Sequence, residues 1–143
     1  MTVTRSNDTS LQQWAILILR IAVGVVFAAH GGQKLFMMGF DGVAGFFGML
    51  GIPLPMVAAI GVTLVELVGG IALILGLGTR YVAGLLTLDM LVALVLVHLP
   101  NGIFVSEGGY ELVLVLAAAA LFFSLSGPGA WSVDSRLSRG AAA

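Results

Sequence analysis

The sequence predicts an all-α membrane protein, a bundle of four transmembrane helices with a short interfacial or re-entrant helix between the first two. Of its 143 residues, 59% are hydrophobic and only 9% are charged. A soluble domain has about 25% charged residues, because its surface faces water. Four apolar stretches, each close to the roughly 20 residues that cross a bilayer, complete the argument.

The apolar stretches show the composition of helices in lipid, rich in Leu, Val, Ala and Gly. None alternates with the period of two that a transmembrane strand requires. Glycine and proline mark the breaks between them. The stretches cover residues 14–30 (patchily to 40), 55–77, 81–99 and 110–125.

The connection between the first two stretches, residues 31–54, is too apolar for a free loop, because phenylalanine and glycine alternate along it. We therefore expect the short interfacial or re-entrant helix there. The first stretch is too long for a cleaved signal peptide, has only Arg5 before it, and lacks a clear small-residue cleavage site. We expect it to remain as a span.

The basic residues predict the orientation of the bundle. Arg5, Arg80, Arg136 and Arg139 fall on one side of the predicted spans, and Lys34 falls on the other. Basic residues favour the cytoplasmic side. The sequence therefore predicts a cytoplasmic tail over 1–12, a four-helix membrane domain over 13–126 and a cytoplasmic tail over 127–143, in a plasma or inner membrane.

Composition also excludes several classes of chemistry. The chain contains no cysteine, so thiolate catalysis, Cys-ligated zinc and iron–sulfur clusters are excluded. Its formal net charge of −1 gives no basic footprint for nucleic acid. We expect the lipid bilayer as a partner, and the sequence favours no particular oligomeric state.

Three ionisable residues lie deep within the predicted spans: Arg20, Glu66 and Asp89. A lone charge at the centre of a bilayer costs about 2.5–3.5 kcal/mol on insertion scales. We therefore predict a buried charge network in which Arg20 pairs with Glu66 first and with Asp89 second. Since two acids would then face one base, one acid would hold a proton. Such groups also serve simply as hydrogen-bonding links between helices, so a structural role stays open.

A second set of polar residues falls near the predicted outer ends of the helices. We predict that His30, Lys34, His98 and Glu111 are catalytic and line a small cavity there, with Asn101 and Tyr110 contributing to cofactor binding. A histidine would donate to a quinone carbonyl, Lys34 would stabilise developing charge, and Glu111 would relay a proton. Two histidines without a third ligand do not specify a haem or a metal site, so we expect no metal.

The order and spacing of short motifs resemble the DoxX family of small bacterial and archaeal membrane proteins, over about residues 11 to 137. Taken singly, these motifs are short, but together they are specific. They are Leu19-Arg20-Ile21, His30-Gly31-Gly32-Gln33-Lys34-Leu35, Gly45-Phe46, Gly51-Ile52-Pro53, Glu66 with Gly69-Gly70, Gly78-Thr79-Arg80, His98-Leu99-Pro100-Asn101-Gly102, Gly109-Tyr110-Glu111 and Gly127-Pro128-Gly129.

The resemblance implies a four-helix membrane bundle and a link to redox chemistry. Family members are linked with a thiosulfate:quinone oxidoreductase, as its small membrane subunit, and with oxidative-stress complexes that contain superoxide dismutase and a sulfurtransferase. Related bundles of the vitamin K epoxide reductase type act through cysteine pairs, which this chain lacks.

We therefore expect a quinone-associated membrane subunit that supports an oxidoreductase, with other membrane or peripheral redox subunits as partners. The alternatives are a non-enzymatic anchor or assembly protein, and a small-molecule or proton transporter. The transporter alternative has less support, because the sequence lacks the inverted internal repeat that often marks transporters.

Overall fold

The structure, a computed structural model, describes residues 4–141, and of residues 4–8 it describes only the backbone. The predicted orientation relied partly on Arg5, whose side chain lies outside the described part. Six α-helices follow in order: α1 Thr4–Gly32, α2 Gly39–Met49, α3 Pro55–Leu75, α4 Thr79–Ala93, α5 Glu111–Ser126 and α6 Val133–Gly140. Two π-helical segments, Gln33–Met38 and Leu94–His98, follow α1 and α4, and short 3₁₀ turns lie at Leu99–Asn101 and Val105–Glu107.

Helices α1, α3, α4 and α5 form the bundle, and this confirms the predicted all-α class. Three stretches are long and apolar enough to cross a membrane: Thr9–Met49, Pro55–Leu75 and Thr79–Asn101. Helix α5 is a shorter apolar helix of 16 residues. Many large aliphatic side chains are exposed on the outside of the bundle, which suits a surface that contacts lipid.

Helices α1 and α3 approach each other closely because glycines of each helix lie against the backbone of the other where they cross. A methyl group added at Gly31 would lie 2.3 Å from the backbone nitrogen of Leu67, and one at Gly70 would lie 2.4 Å from that of Ala28. Small residues at such contacts let backbones meet in lipid, where van der Waals packing replaces the hydrophobic effect. This close contact fixes the position of α1 relative to α3, and with it the residues at the ends of the two helices.

Helix α2 is the short helix predicted between the first two spans, and the structure confirms it. The chain leaves the π-helical segment at Gly39, whose φ of +68° suits glycine. On α2, Val43, Ala44 and Phe47 are buried and form a cluster with Ala59 of α3. This packing explains why a connection between spans is so apolar.

The predicted C-terminal tail folds back onto the bundle. The guanidinium of Arg20, on α1, donates to the backbone carbonyls of Pro128 and Trp131, the second at 2.5 Å. The Trp131 ring stacks on that of Trp14, with their centroids 5.7 Å apart. Ser132 then forms a capping box that starts α6. This end of the bundle is closed by its own chain.

Charged side chains cap two helices at the same end. The Asp134 carboxylate accepts the backbone N–H of Gly78 at 2.7 Å and that of Thr79 at 2.9 Å, at the start of α4. Partial burial opposes its charge, but these two bonds and the nearby Arg20 outweigh that effect and lower the pKa of Asp134. Arg80 donates to the carbonyl of Leu125, in the last turn of α5, at 2.7 Å.

Candidate functional site

A cavity of about 330 Å³ lies at the opposite end of the bundle, where α2, both π-helical segments and the loop before α5 converge. Its walls are mostly apolar, and each of the three long apolar stretches that could cross a membrane adds polar side chains to them. The polar lining residues are His30, Gln33, Lys34, Glu66, Asp89 and His98, and the apolar ones include Phe27, Val43, Phe47, Val62, Ala93, Leu112 and Leu116.

The centre of the cavity's polar wall is an ion pair between Lys34 and Glu66. Their Nζ and Oε2 atoms lie 2.5 Å apart, and the two side chains are 20% and 5% exposed. Asp89 of α4 interacts electrostatically with both groups. Its Oδ2 atom is buried and has no hydrogen-bond partner among the described residues. Two acids therefore face one base in this wall.

The expected pairing of Arg20 with Glu66 or Asp89 is wrong. Arg20 is buried at the other end of the bundle, where it donates to the carbonyls of Pro128 and Trp131. A guanidinium has five N–H donors in a planar array and can bond to several carbonyl oxygens at once. The acid near Arg20 is Asp134. Lys34 reaches Glu66 instead, because its long stem lets the ammonium group extend inward from the end of a helix.

The two histidines line the same cavity and are held in similar ways. His30 Nδ1 lies 2.9 Å from the carbonyl oxygen of Val26, one helical turn earlier. His98 Nδ1 lies 2.7 Å from the carbonyl oxygen of Gly108, in the loop before α5. Both rings are half-buried. The structure thus brings His30, Lys34 and His98 together, as the sequence predicts.

Glu111, Asn101 and Tyr110 lie beside the cavity and do not form its wall. Glu111 Oε1 accepts the backbone N–H of Val105 at 2.7 Å. Asn101 Nδ2 donates to the carbonyl of Val97 at 3.2 Å. The Tyr110 side chain packs against the main apolar core. These contacts hold the loop before α5 in place. The catalytic role of Glu111 and the cofactor-binding roles of Asn101 and Tyr110 stay predictions.

The π-helical segments are a feature that sequence reasoning missed. Gln33 and Lys34 lie in the first segment and His98 ends the second, so both segments supply polar groups to one cavity. A π-turn inserts an extra residue and shifts which side chains share a face, and such turns are frequent at functional sites. The only sequence signal was the motif His30-Gly31-Gly32-Gln33-Lys34, which includes Gln33 without assigning it a role.

Metal ligation has no ready geometry in this part of the chain. Among the side chains that the structure describes, those of residues 9–141, no group of three or more His, Cys, Asp or Glu is arranged to hold a metal ion. The polar wall is therefore a set of hydrogen-bonding and charged groups around an apolar space. Such a site suits a small, mostly apolar molecule with a few polar atoms.

Comparison with known proteins identifies the family. The family model described as DoxX matches residues 15–99. The chain belongs to the DoxX family. The match runs from within α1 through α4. It includes all six polar residues of the cavity wall, namely His30, Gln33, Lys34, Glu66, Asp89 and His98.

Relatives of this DoxX protein occur in distant bacteria. It is 36% identical to the inner membrane protein YphA of Escherichia coli K12, covering 85% of this chain and 89% of that protein. It is 37% identical to an uncharacterized membrane protein of Mycobacterium tuberculosis, covering 90% and 85%. It is 33% identical to the Bacillus subtilis protein named "Putative oxidoreductase CatD", covering 73% and 75%. No solved structure matches it significantly.

Proposed function

We propose that this DoxX protein is a membrane subunit that binds a quinone-type ring in its cavity and supports a membrane oxidoreductase. The observation that carries the proposal is one apolar cavity, of about 330 Å³, into which bundle helices bring an ion pair, a second acid and two histidines. Ligand sites of this size typically combine apolar walls with a few placed polar groups.

A quinone ring has the matching chemistry. Its flat carbon skeleton is apolar, and its two oxygen atoms lie at opposite ends. Lipid-soluble quinones also reach their sites from within the bilayer, and this cavity lies among helices that are apolar enough to cross one. Buried ionisable residues in membrane bundles are costly and commonly mark functional sites. Glu66 is such a residue, and Asp89 is half-buried with a buried Oδ2 atom.

The relatives support the cellular setting. One relative is named an inner membrane protein, and another is named as an oxidoreductase candidate. We place the chain in the inner or plasma membrane as a multi-pass protein, with both termini in the cytoplasm. The end that carries Arg80 and α6 would then face the cytoplasm, and the cavity end would face outward. Peripheral or membrane redox subunits would be its partners.

Quinone bound after mild solubilisation is the direct test. The purified full chain should release quinone on solvent extraction, at close to one molecule per chain. Ala93→Phe, which fills the cavity, should lower that amount several-fold. Leu88→Phe, at an exposed position of α4 outside the cavity, is the matched control and should leave it unchanged. No quinone in the unaltered chain, at full helical content, would favour the anchor role instead.

A further inference from the structure

We propose that the cavity recognises its ligand through hydroxyl groups, so that it binds a hydroquinone in preference to the oxidised quinone. This inference rests on the proposed function and adds which form of the ring the site takes. It follows from the hydrogen bonds that the cavity's polar groups already make, and from the bonding capacity that they have left.

Each histidine lines the cavity and has one ring nitrogen, Nε2, left to accept a hydrogen bond. A carbonyl oxygen can only accept, so the Nδ1 atom of His30 must donate to Val26, and that of His98 must donate to Gly108. A neutral imidazole with its proton on Nδ1 has a lone pair on Nε2. The two backbone carbonyls therefore select the tautomer in which the remaining ring nitrogen of each histidine accepts a hydrogen bond.

The two carboxyl groups keep acceptor oxygens whether or not one of them holds a proton. Glu66 has one oxygen in the ion pair with Lys34, and Asp89 Oδ2 is buried without a partner among the described residues. The Lys34 ammonium donates one of its three N–H groups to Glu66 at 2.5 Å, so donors and acceptors are both present along this side of the wall. At the two histidines, the free capacity is acceptor capacity, and the proposed preference rests on them.

A ligand with hydroxyl groups matches that capacity. A quinone has two carbonyl oxygens, which only accept, whereas a hydroquinone has two O–H donors at the same positions. Placing the quinone opposite His30 and His98 would set lone pairs against lone pairs, and buried acceptors without donors are costly. Two hydrogen bonds of ordinary strength correspond to a preference of about tenfold or more.

The test compares three ligands that share one ring. A decyl-substituted 1,4-benzoquinone, its hydroquinone and the hydroquinone dimethyl ether are titrated anaerobically against the detergent-solubilised full chain. The ether keeps both oxygens and removes both donors. We expect the hydroquinone to bind about tenfold more tightly than the quinone, and the ether to bind no better than the quinone.

Variants assign the preference to the histidines. His30→Asn and His98→Asn keep an amide donor near Nδ1 and remove the Nε2 acceptor, so each should reduce the preference several-fold and leave quinone affinity unchanged. Equal or tighter binding of the quinone, or ether binding equal to that of the hydroquinone, would overturn this inference while the quinone site stands. Binding of none of the three ligands by the folded chain would overturn both.

Discussion

Lys34 and Glu66 meet at 2.5 Å although they come from different helices, 32 positions apart in the chain. The pair joins the π-helical segment after α1 to the middle of α3, in the wall of the cavity. Because Glu66 is almost completely buried, neither charge can be removed without consequence for the other.

We predict that Glu66→Leu lowers the free energy of unfolding by up to about 3 kcal/mol, since the Lys34 ammonium loses its hydrogen-bonded partner and keeps only the electrostatic attraction of Asp89. Lys34→Leu combined with Glu66→Leu should recover part of that loss. Thermal unfolding in detergent, followed by circular dichroism, measures both. Losses that simply add in the double variant would show that the two residues are not coupled.

Arg20 gives the contrasting case. Arg20→Lys should destabilise the chain, because one ammonium group cannot match the planar donor array that reaches both Pro128 and Trp131. Combined with Glu66→Leu, its effect should be additive, since the two residues belong to opposite ends of the bundle. A coupling energy well above about 0.5 kcal/mol between them would contradict this structure.

The lowered pKa of Asp134 predicts that the stability of the folded chain depends on pH. Its pKa is lowered in the folded chain, below the value of about 3.9 that is usual in an unfolded one. Its contribution is therefore fully present above that value and is lost as the pH falls through the lower, folded-state pKa. Asp134→Asn keeps one acceptor oxygen but loses the second and the negative charge at the start of α4, so it should lower stability by about 0.5–1 kcal/mol at neutral pH. The difference from the unaltered chain should shrink below about pH 4, and a difference that grew there would reverse the sign of the argument.

The α1–α3 contact predicts a sharp difference between two glycines of α3. Gly70→Ala should destabilise the chain by about 1–3 kcal/mol, because its methyl group would lie 2.4 Å from the backbone of Ala28. Gly61→Ala is the matched control, since a methyl group there meets nothing within 4 Å. It should be neutral or stabilising by up to about 1 kcal/mol. Equal effects of Gly70→Ala and Gly61→Ala would mean that the close contact between α1 and α3 at Gly70 does not limit the size of the side chain there.

The proposed orientation is tested with single cysteines in this cysteine-free chain. Ser138→Cys and Ser106→Cys lie at opposite ends of the bundle, and both positions are exposed. An impermeant thiol reagent added to intact cells should label position 106 and leave position 138 unlabelled until the membrane is opened. Labelling of position 138 from outside would reverse the orientation.

Much of the fold was predictable from the sequence, because apolar length and the breaks at glycine and proline define helices in lipid. The site was predictable only in part. Depth along a helix can be counted, and it correctly placed His30, Lys34 and His98 near one end. The face on which a side chain projects cannot be counted across a π-turn, and Lys34 lies in one. Depth alone therefore pairs Glu66 with Arg20 instead of Lys34. The folding back of residues 127–140 was also missed, because carbonyl groups as partners leave no pattern in the sequence.

The contact between Arg20 and the carbonyls of Pro128 and Trp131 has a consequence for how the chain is made. Ribosomes synthesise proteins from the N-terminus, so the first span exists for more than 100 residues of synthesis before its arginine meets these partners. Until then, the guanidinium must stay hydrated or bound by the insertion machinery. A chain that stops before Pro128 should therefore keep an arginine in its first helix without these hydrogen-bond partners. We expect quality-control proteases to degrade such a chain faster than the full-length protein.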